Sequence, residues 1–401
     1  MLFYLFYSIF IICSTIYTVQ NFGYIFTPRQ VSTLIMFFLC LLKEKKLWVD
    51  KFWLLYCGFI IFFGLSCIID GYELRFITRL VGDYFVAYVA YWSSRLVAKN
   101  KKLKYLFIPL FLSVGFNAIV SYSQLIGNDF LQPFLERFRL IADERYYYYY
   151  EREISLMGKV TFGIYSSPVV SGHMLMYVAV LSMIFQQRRI NFFAIFLTLL
   201  LLIGSFATQE RTGFYTAIAM ILFLMYIKIT LMNNSSKYFL IFLFIVGVLL
   251  FIPWFFNMLM EGESRYAEKG FDTTGRDVIY LESFNYFLDH PLLGGYYNYM
   301  ESHTFPPHNV LLNSLVYSGV LGTFFIISIF VLQMKKIFSI IRNANKCNYG
   351  LLVISTAYIS IILNGFTHNI SIVNADINGW IIWGVINYSI YNRNKTSYLT
   401  T

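Results

Sequence analysis

Three positions combine a chemistry-bearing side chain with a rigid local setting. Arg211 stands in Thr208-Gln209-Glu210-Arg211-Thr212-Gly213, between two apolar runs. A guanidinium keeps its charge and holds phosphate oxygens two at a time, so an arginine here is a candidate anion ligand. The plainer reading is an interfacial arginine that reaches to lipid headgroups or pairs with Glu210. Arg276 follows Asp272-Thr273-Thr274-Gly275 and opens a stretch, Asp277 to Leu288, with a helical apolar stripe. A helix start and an arginine together favour a phosphate there. His308 follows Pro306 and Pro307 and opens an apolar run. Proline suits the first helical turn, so the imidazole is expected at a rigid helix start. A helix N-terminus and nearby arginines disfavour the imidazolium, which leaves a neutral ring able to act as a general base. A structural histidine at a membrane interface is the alternative.

Other residues carry weaker signals. His173 lies in Ser166-Ser167-Pro168-Val169-Val170-Ser171-Gly172-His173, in a span that Pro168 and Gly172 are expected to bend. It either lines a cavity or is a packed, hydrogen-bonded histidine. Arg75, Arg79 and Asp83 share one helix face, where they either neutralise one another or, through Arg79, add positive charge for an anionic headgroup. The run Tyr146 to Tyr150, with Arg152 just after it, offers Tyr147 and its neighbours as rings for the apolar faces of sugars. Tyrosine is equally an ordinary residue of the membrane interface. His303 and His308, with Asp289 or Glu301, lack the HExxH spacing and a nearby cysteine that a zinc site would favour. Ser314, Ser318 and Gly322 recur at intervals of four, the spacing that lets a neighbouring helix approach closely.

The elements that must position these residues follow from composition. Of 401 residues, 58% are hydrophobic and 13% charged, and the mean hydropathy is +0.61. A soluble domain is about 25% charged, so soluble enzymes, disordered chains and secreted disulfide scaffolds are excluded. The expected fold is an all-α integral membrane protein, a single polytopic domain over residues 1–401. Its spans are expected near 2–20, 24–42, 52–70, 77–98, 105–126, 161–185, 191–207, 213–227, 238–256, 309–333, 350–366 and 376–392, which makes about twelve helices. The first carries no basic residue before it and no small-residue cleavage site after it, so it reads as a retained span. Basic clusters fall in alternate connections, among them Lys43, Lys45 and Lys46, Lys99 to Lys104, Arg188 and Arg189, and Lys335 with Lys336. The positive-inside rule then puts both termini in the cytoplasm and explains part of the net charge of +10 without nucleic acid. Two longer external loops remain, 127–159, rich in tyrosine and charge, and 257–308, with the amphipathic stretch. The five cysteines show no CxxC spacing.

Taken together, Thr208 to Gly213 with its arginine, Gly275-Arg276 leading to His290-Pro291-Leu292-Leu293-Gly294, and His308-Asn309 followed by Gly319-Val320-Leu321-Gly322-Thr323 resemble the bacterial O-antigen ligase and polysaccharide polymerase family. The motifs lie in the second half of the chain. The resemblance implies glycosyl transfer on the outer face of the bacterial cytoplasmic membrane, with an undecaprenyl-pyrophosphate-linked oligosaccharide as donor. It assigns Arg211 and Arg276 to the pyrophosphate and His308 to the acceptor proton, and needs no metal or other cofactor. Asn309, Arg79, Arg152, Tyr147 and His173 are expected around the substrate. A polymerase that joins lipid-linked repeat units into O-antigen or capsular polysaccharide is the leading reading. In that case the lipid-linked glycan is both donor and acceptor, and a chain-length regulator is a possible protein partner. A ligase to lipid A core or protein is the alternative. A flippase for the same glycan is a third reading, weakened by the absence of related halves.

Overall fold

A computed structural model describes residues 2–16, 27–71, 74–99, 104–126, 129–131, 161, 163–165, 168–186, 191–230, 276–303, 306–343, 349–368, 370, 373 and 376–397. Among these there are thirteen α-helices and no strand. They are α1 (Leu2–Ile16), α2 (Pro28–Glu44), α3 (Lys51–Ile69), α4 (Leu74–Lys99), α5 (Lys104–Leu125), α6 (Pro168–Ser182), α7 (Phe192–Ala207), α8 (Arg211–Thr230), α9 (Arg276–Asp289), α10 (Tyr296–Ser302), α11 (Val310–Arg342), α12 (Tyr349–Gly365) and α13 (Ile377–Ser397). The spans of α3, α5, α6, α8 and α11 are long and apolar enough to cross a membrane, and α1, α7 and α12 are shorter apolar helices. The protein is thus an all-α, multi-pass membrane protein. The span expected at 238–256 lies outside the described residues.

Local sequence sets the helix starts. Thr27 and Gln30 form a reciprocal capping box ahead of Pro28. Asp50 accepts from the Phe52 and Trp53 amides, Asn191 from Phe193, and Asn309 from Leu311 and Leu312. Helix α6 starts at Pro168, whereas a span from 161 with a bend at this proline was expected. Proline lacks an amide hydrogen and restricts the residue before it, so it opens the helix instead of bending it. Residues 163–165 form a turn at Gly163 (φ 62°), pinned by Asn117, which accepts from the Ile164 amide at 2.8 Å, and by Gln124.

Most of α6, α12 and the first part of α13 is buried. Helix α13 packs along α4, and α11 along α3. Gly384 permits the first contact, because a Cβ there would meet the Tyr91 carbonyl. Trp53, Tyr56, Tyr91 and Trp380 fill the space between α3, α4 and α13, with ring centroids 4.7–5.4 Å apart for the pairs in contact with Trp380. A Cβ at Gly322 of the small-residue series would meet the Ser318 side chain first and Phe62 of α3 next, at 3.4 Å.

Helix α11 is broken inside. Gly319 has φ 59° and ψ −161°, so the helical ladder is interrupted there. The turn after α9, His290-Pro291-Leu292-Leu293-Gly294-Gly295, docks into this break. Val320 donates to the Pro291 carbonyl at 2.9 Å, and Gly295 donates to Val316 at 2.9 Å. Gly294, at φ 70°, lies against the Val316 carbonyl and Gly319 against Leu292, with no room for a Cβ at either. Two of the three motifs are therefore the halves of one backbone clasp, which ties α9 to α11.

Candidate active site

Each of the three leading residues stands at a helix start. Arg211 is the first residue of α8, Arg276 the first of α9, and His308 lies two residues ahead of α11; all three are half-buried. Helix starts present unpaired amides and a partial positive charge, a setting that favours an anion.

The turn between α7 and α8 is shaped by Glu210. Gln209 takes φ 54°, and the Thr208 hydroxyl accepts from the Glu210 amide at 3.4 Å. The Glu210 carbonyl accepts from Phe214 at 3.2 Å, and its carboxylate accepts from the Gly213 amide, so Glu210 caps α8. Gly213 leaves space for that carboxylate, and Gly172 of α6 allows the same turn to approach. Beyond the cap, Glu210 Oε1 lies 2.5 Å from His368 Nε2, and both side chains are almost fully buried. Burial alone pushes the Glu210 carboxyl up. The His368 charge and hydrogen bond, the Gly213 amide and the Arg276 charge more than offset it and hold the carboxyl below its ordinary range.

His368 follows α12 and its amide donates to the Asn364 carbonyl at 2.9 Å. Its ring faces that of His308 edge-on, with centroids 6.4 Å apart. Tyr280 of α9, one turn beyond Arg276, donates from its hydroxyl to the His308 carbonyl at 3.0 Å and to the Phe366 carbonyl at 3.4 Å. Asn309 donates to the same Phe366 carbonyl at 3.1 Å. The starts of α9 and α11 and the end of α12 are thus locked together around His308. Burial, then the charges of His368 and Arg276, push the His308 imidazole down to about 4, which makes it neutral at pH 7.

A second carboxylate–histidine pair is equally buried. His173 is 1% exposed; Asn364 donates to its Nδ1 at 2.8 Å, and its Nε2 lies 3.6 Å from Asp376 Oδ2. Asp376 also accepts from the Asn378 and Gly379 amides and caps α13. Of the two readings for His173, the geometry is that of the packed, hydrogen-bonded residue.

His308, Arg276 and the Arg211 turn are brought together, and Gly172, the neighbour of His173, packs against the same turn. The backbone of Arg79 lies in α4, and Asp83, four residues on, pairs with Arg29 of α2 at 3.3 Å. Tyr147 and Arg152 lie outside the described residues. His303 stacks on Tyr299, centroids 4.2 Å apart, and His290 on Tyr286, 4.5 Å apart. His368 and Tyr280 were not foreseen, and Glu210 was read only as a partner for Arg211. The available signal was an ionisable residue at the end of an apolar run, which in a membrane protein marks function by default.

An all-helical membrane protein with a buried polar constellation of arginine, histidine and carboxylate at helix starts is the class these features define. Residues 194–327 match the family model described as O-antigen ligase, a range that holds Glu210, Arg211, Arg276, Tyr280, His308 and the clasp. This likeness supports the O-antigen ligase and polymerase family and suggests a membrane enzyme of glycosyltransferase type. No curated protein matches the chain.

Proposed function

We propose that the protein is a polysaccharide polymerase that joins undecaprenyl-pyrophosphate-linked repeat units on the outer face of the bacterial cytoplasmic membrane. In this reading the chain crosses the membrane twelve times with both termini in the cytoplasm. The observation that carries the reading is the meeting of a neutral histidine with an arginine-bearing helix start, inside the residues that match the family.

The acceptor hydroxyl attacks the anomeric carbon of the donor sugar, the new C–O bond forms, and the bond from that carbon to the pyrophosphate oxygen breaks. His308 takes the hydroxyl proton on its ring. Arg276 and Arg211 hold the pyrophosphate and stabilise the negative charge that grows on it as it leaves. An anionic donor drawn to Arg276 also cancels part of the field that weakens His308 as a base, so donor binding makes the imidazole more basic when a proton must be taken.

Deletion of the gene in its host tests the polymerase reading. Surface glycan reduced to single repeats is the expected result. Polymer of normal length stranded on the lipid carrier would instead identify a ligase.

A further inference from the structure

We infer that Glu210 and His368 act together as a positioning pair for His308: the Glu210 carboxylate fixes the His368 ring, and that ring, edge-on to His308, sets the electrostatic surroundings in which His308 takes a proton. The inference rests on the reading of His308 as the general base, and nothing in the motifs assigns a role to either partner.

The geometry is specific. A histidine and a carboxylate 2.5 Å apart, almost fully buried, form a short hydrogen-bonded pair that water does not reach. Glu210 cannot turn away, because its backbone and carboxylate both cap α8. His368 cannot retreat, because its amide is tied to the last turn of α12. The edge-on arrangement then sets a fixed ring against His308. Facing the pair and His308 are Arg276 and Tyr280 from α9, Glu210 with its sequence neighbour Arg211 from the α7–α8 turn, and His368 from the segment after α12. The pair resembles in form the carboxylate that orients a catalytic histidine, with one difference: here the buttressed ring stands behind the base instead of serving as it.

The sign of the effect follows from the field at His308, which His368 makes less favourable to a second positive charge. Without the carboxylate, the His368 ring loses the partner that fixes it beside His308. That field then weakens and His308 protonates more readily. Replacing His368 removes the field directly and moves His308 in the same direction.

The test uses the full-length protein in detergent and reads the protonation of His308 without requiring glycosyl transfer. Diethyl pyrocarbonate modifies neutral imidazole, and the extent at His308 is followed by peptide mass spectrometry between about pH 3.5 and about pH 7. Wild type is expected to stay reactive down to about pH 5, whereas Glu210→Gln, which keeps an acceptor for the Gly213 amide, loses reactivity about one pH unit higher. Glu210→Asp, which keeps the charge, returns the midpoint toward wild type, and His368→Asn shifts it like Glu210→Gln. Midpoints that coincide in all four proteins would overturn the inference. An inactive wild type that still shows these shifts would instead contradict the proposed reaction, so the two failures are distinguishable.

Discussion

His308 shows how burial and the neighbouring His368 and Arg276 can keep an imidazole neutral well below its ordinary 6.5. The sequence makes part of this visible, because two prolines ahead of an apolar run place the histidine at a rigid start. It hides the rest, because His368 lies sixty residues further on and meets His308 only through the folding of α12 against α11. The shift has a thermodynamic consequence. The folded value of about 4 is below the ordinary 6.5, so the contribution of His308 is fully present above pH 6.5 and is lost as pH falls from about 6.5 toward 4. Thermal unfolding in detergent should therefore lose stability across that window in wild type, and His308→Gln should flatten the slope there. An unchanged slope would contradict the assignment of a buried, neutral His308. Arg276 is expected to matter most in the transition state. Arg276→Ala should lower kcat by about 10²–10³-fold with a smaller effect on KM, and Arg276→Lys should recover only part of it.

The helices themselves were the most legible feature, since an apolar run bounded by Thr27, Asp50, Asn191 or Asn309 announces both its length and its cap. The break at Gly319 was not legible, because a lone glycine inside a long apolar run looks like a site of close packing. What decides its conformation is a turn from another element. Gly294 and Gly319 both take left-handed backbone angles and both face another backbone. A Cβ in that region costs about 1–2 kcal/mol before any clash is counted. Gly319→Ala and Gly294→Ala should each lower the melting temperature, while Gly115→Ala, whose surroundings leave a Cβ nothing to meet within 4 Å, should not. The motif residues after His308 thus hold Arg276 and His308 in register, and equal melting temperatures for the two clasp variants and wild type would remove that role.

Among the described residues, two sets of buried or half-buried charged side chains stand out. In one, Glu44 binds Arg95 at 2.9 Å and Trp92 at 3.0 Å, and Asp50 accepts from Tyr91 and Asn387, both at 2.7 Å. In the other are Glu210, His308, His368 and Asp376. Asp376 and Asn387 belong to the same helix region, eleven residues and so about 16 Å apart along its axis. The first set coincides with the basic clusters of the positive-inside pattern, and the second is expected to face outward. Single cysteines in a cysteine-free background test this: D289C should react with a membrane-impermeant maleimide on intact cells, and K46C only after permeabilisation. The reverse pattern would place the site in the cytoplasm. The central claim is tested most directly by purified protein in lipid nanodiscs supplied with undecaprenyl-pyrophosphate-linked repeat units. The account predicts a ladder of lengthening glycan from wild type and at least a 10²-fold slower one from His308→Ala of equal folded content. A His308→Ala variant that makes the same ladder at the wild-type rate would contradict it.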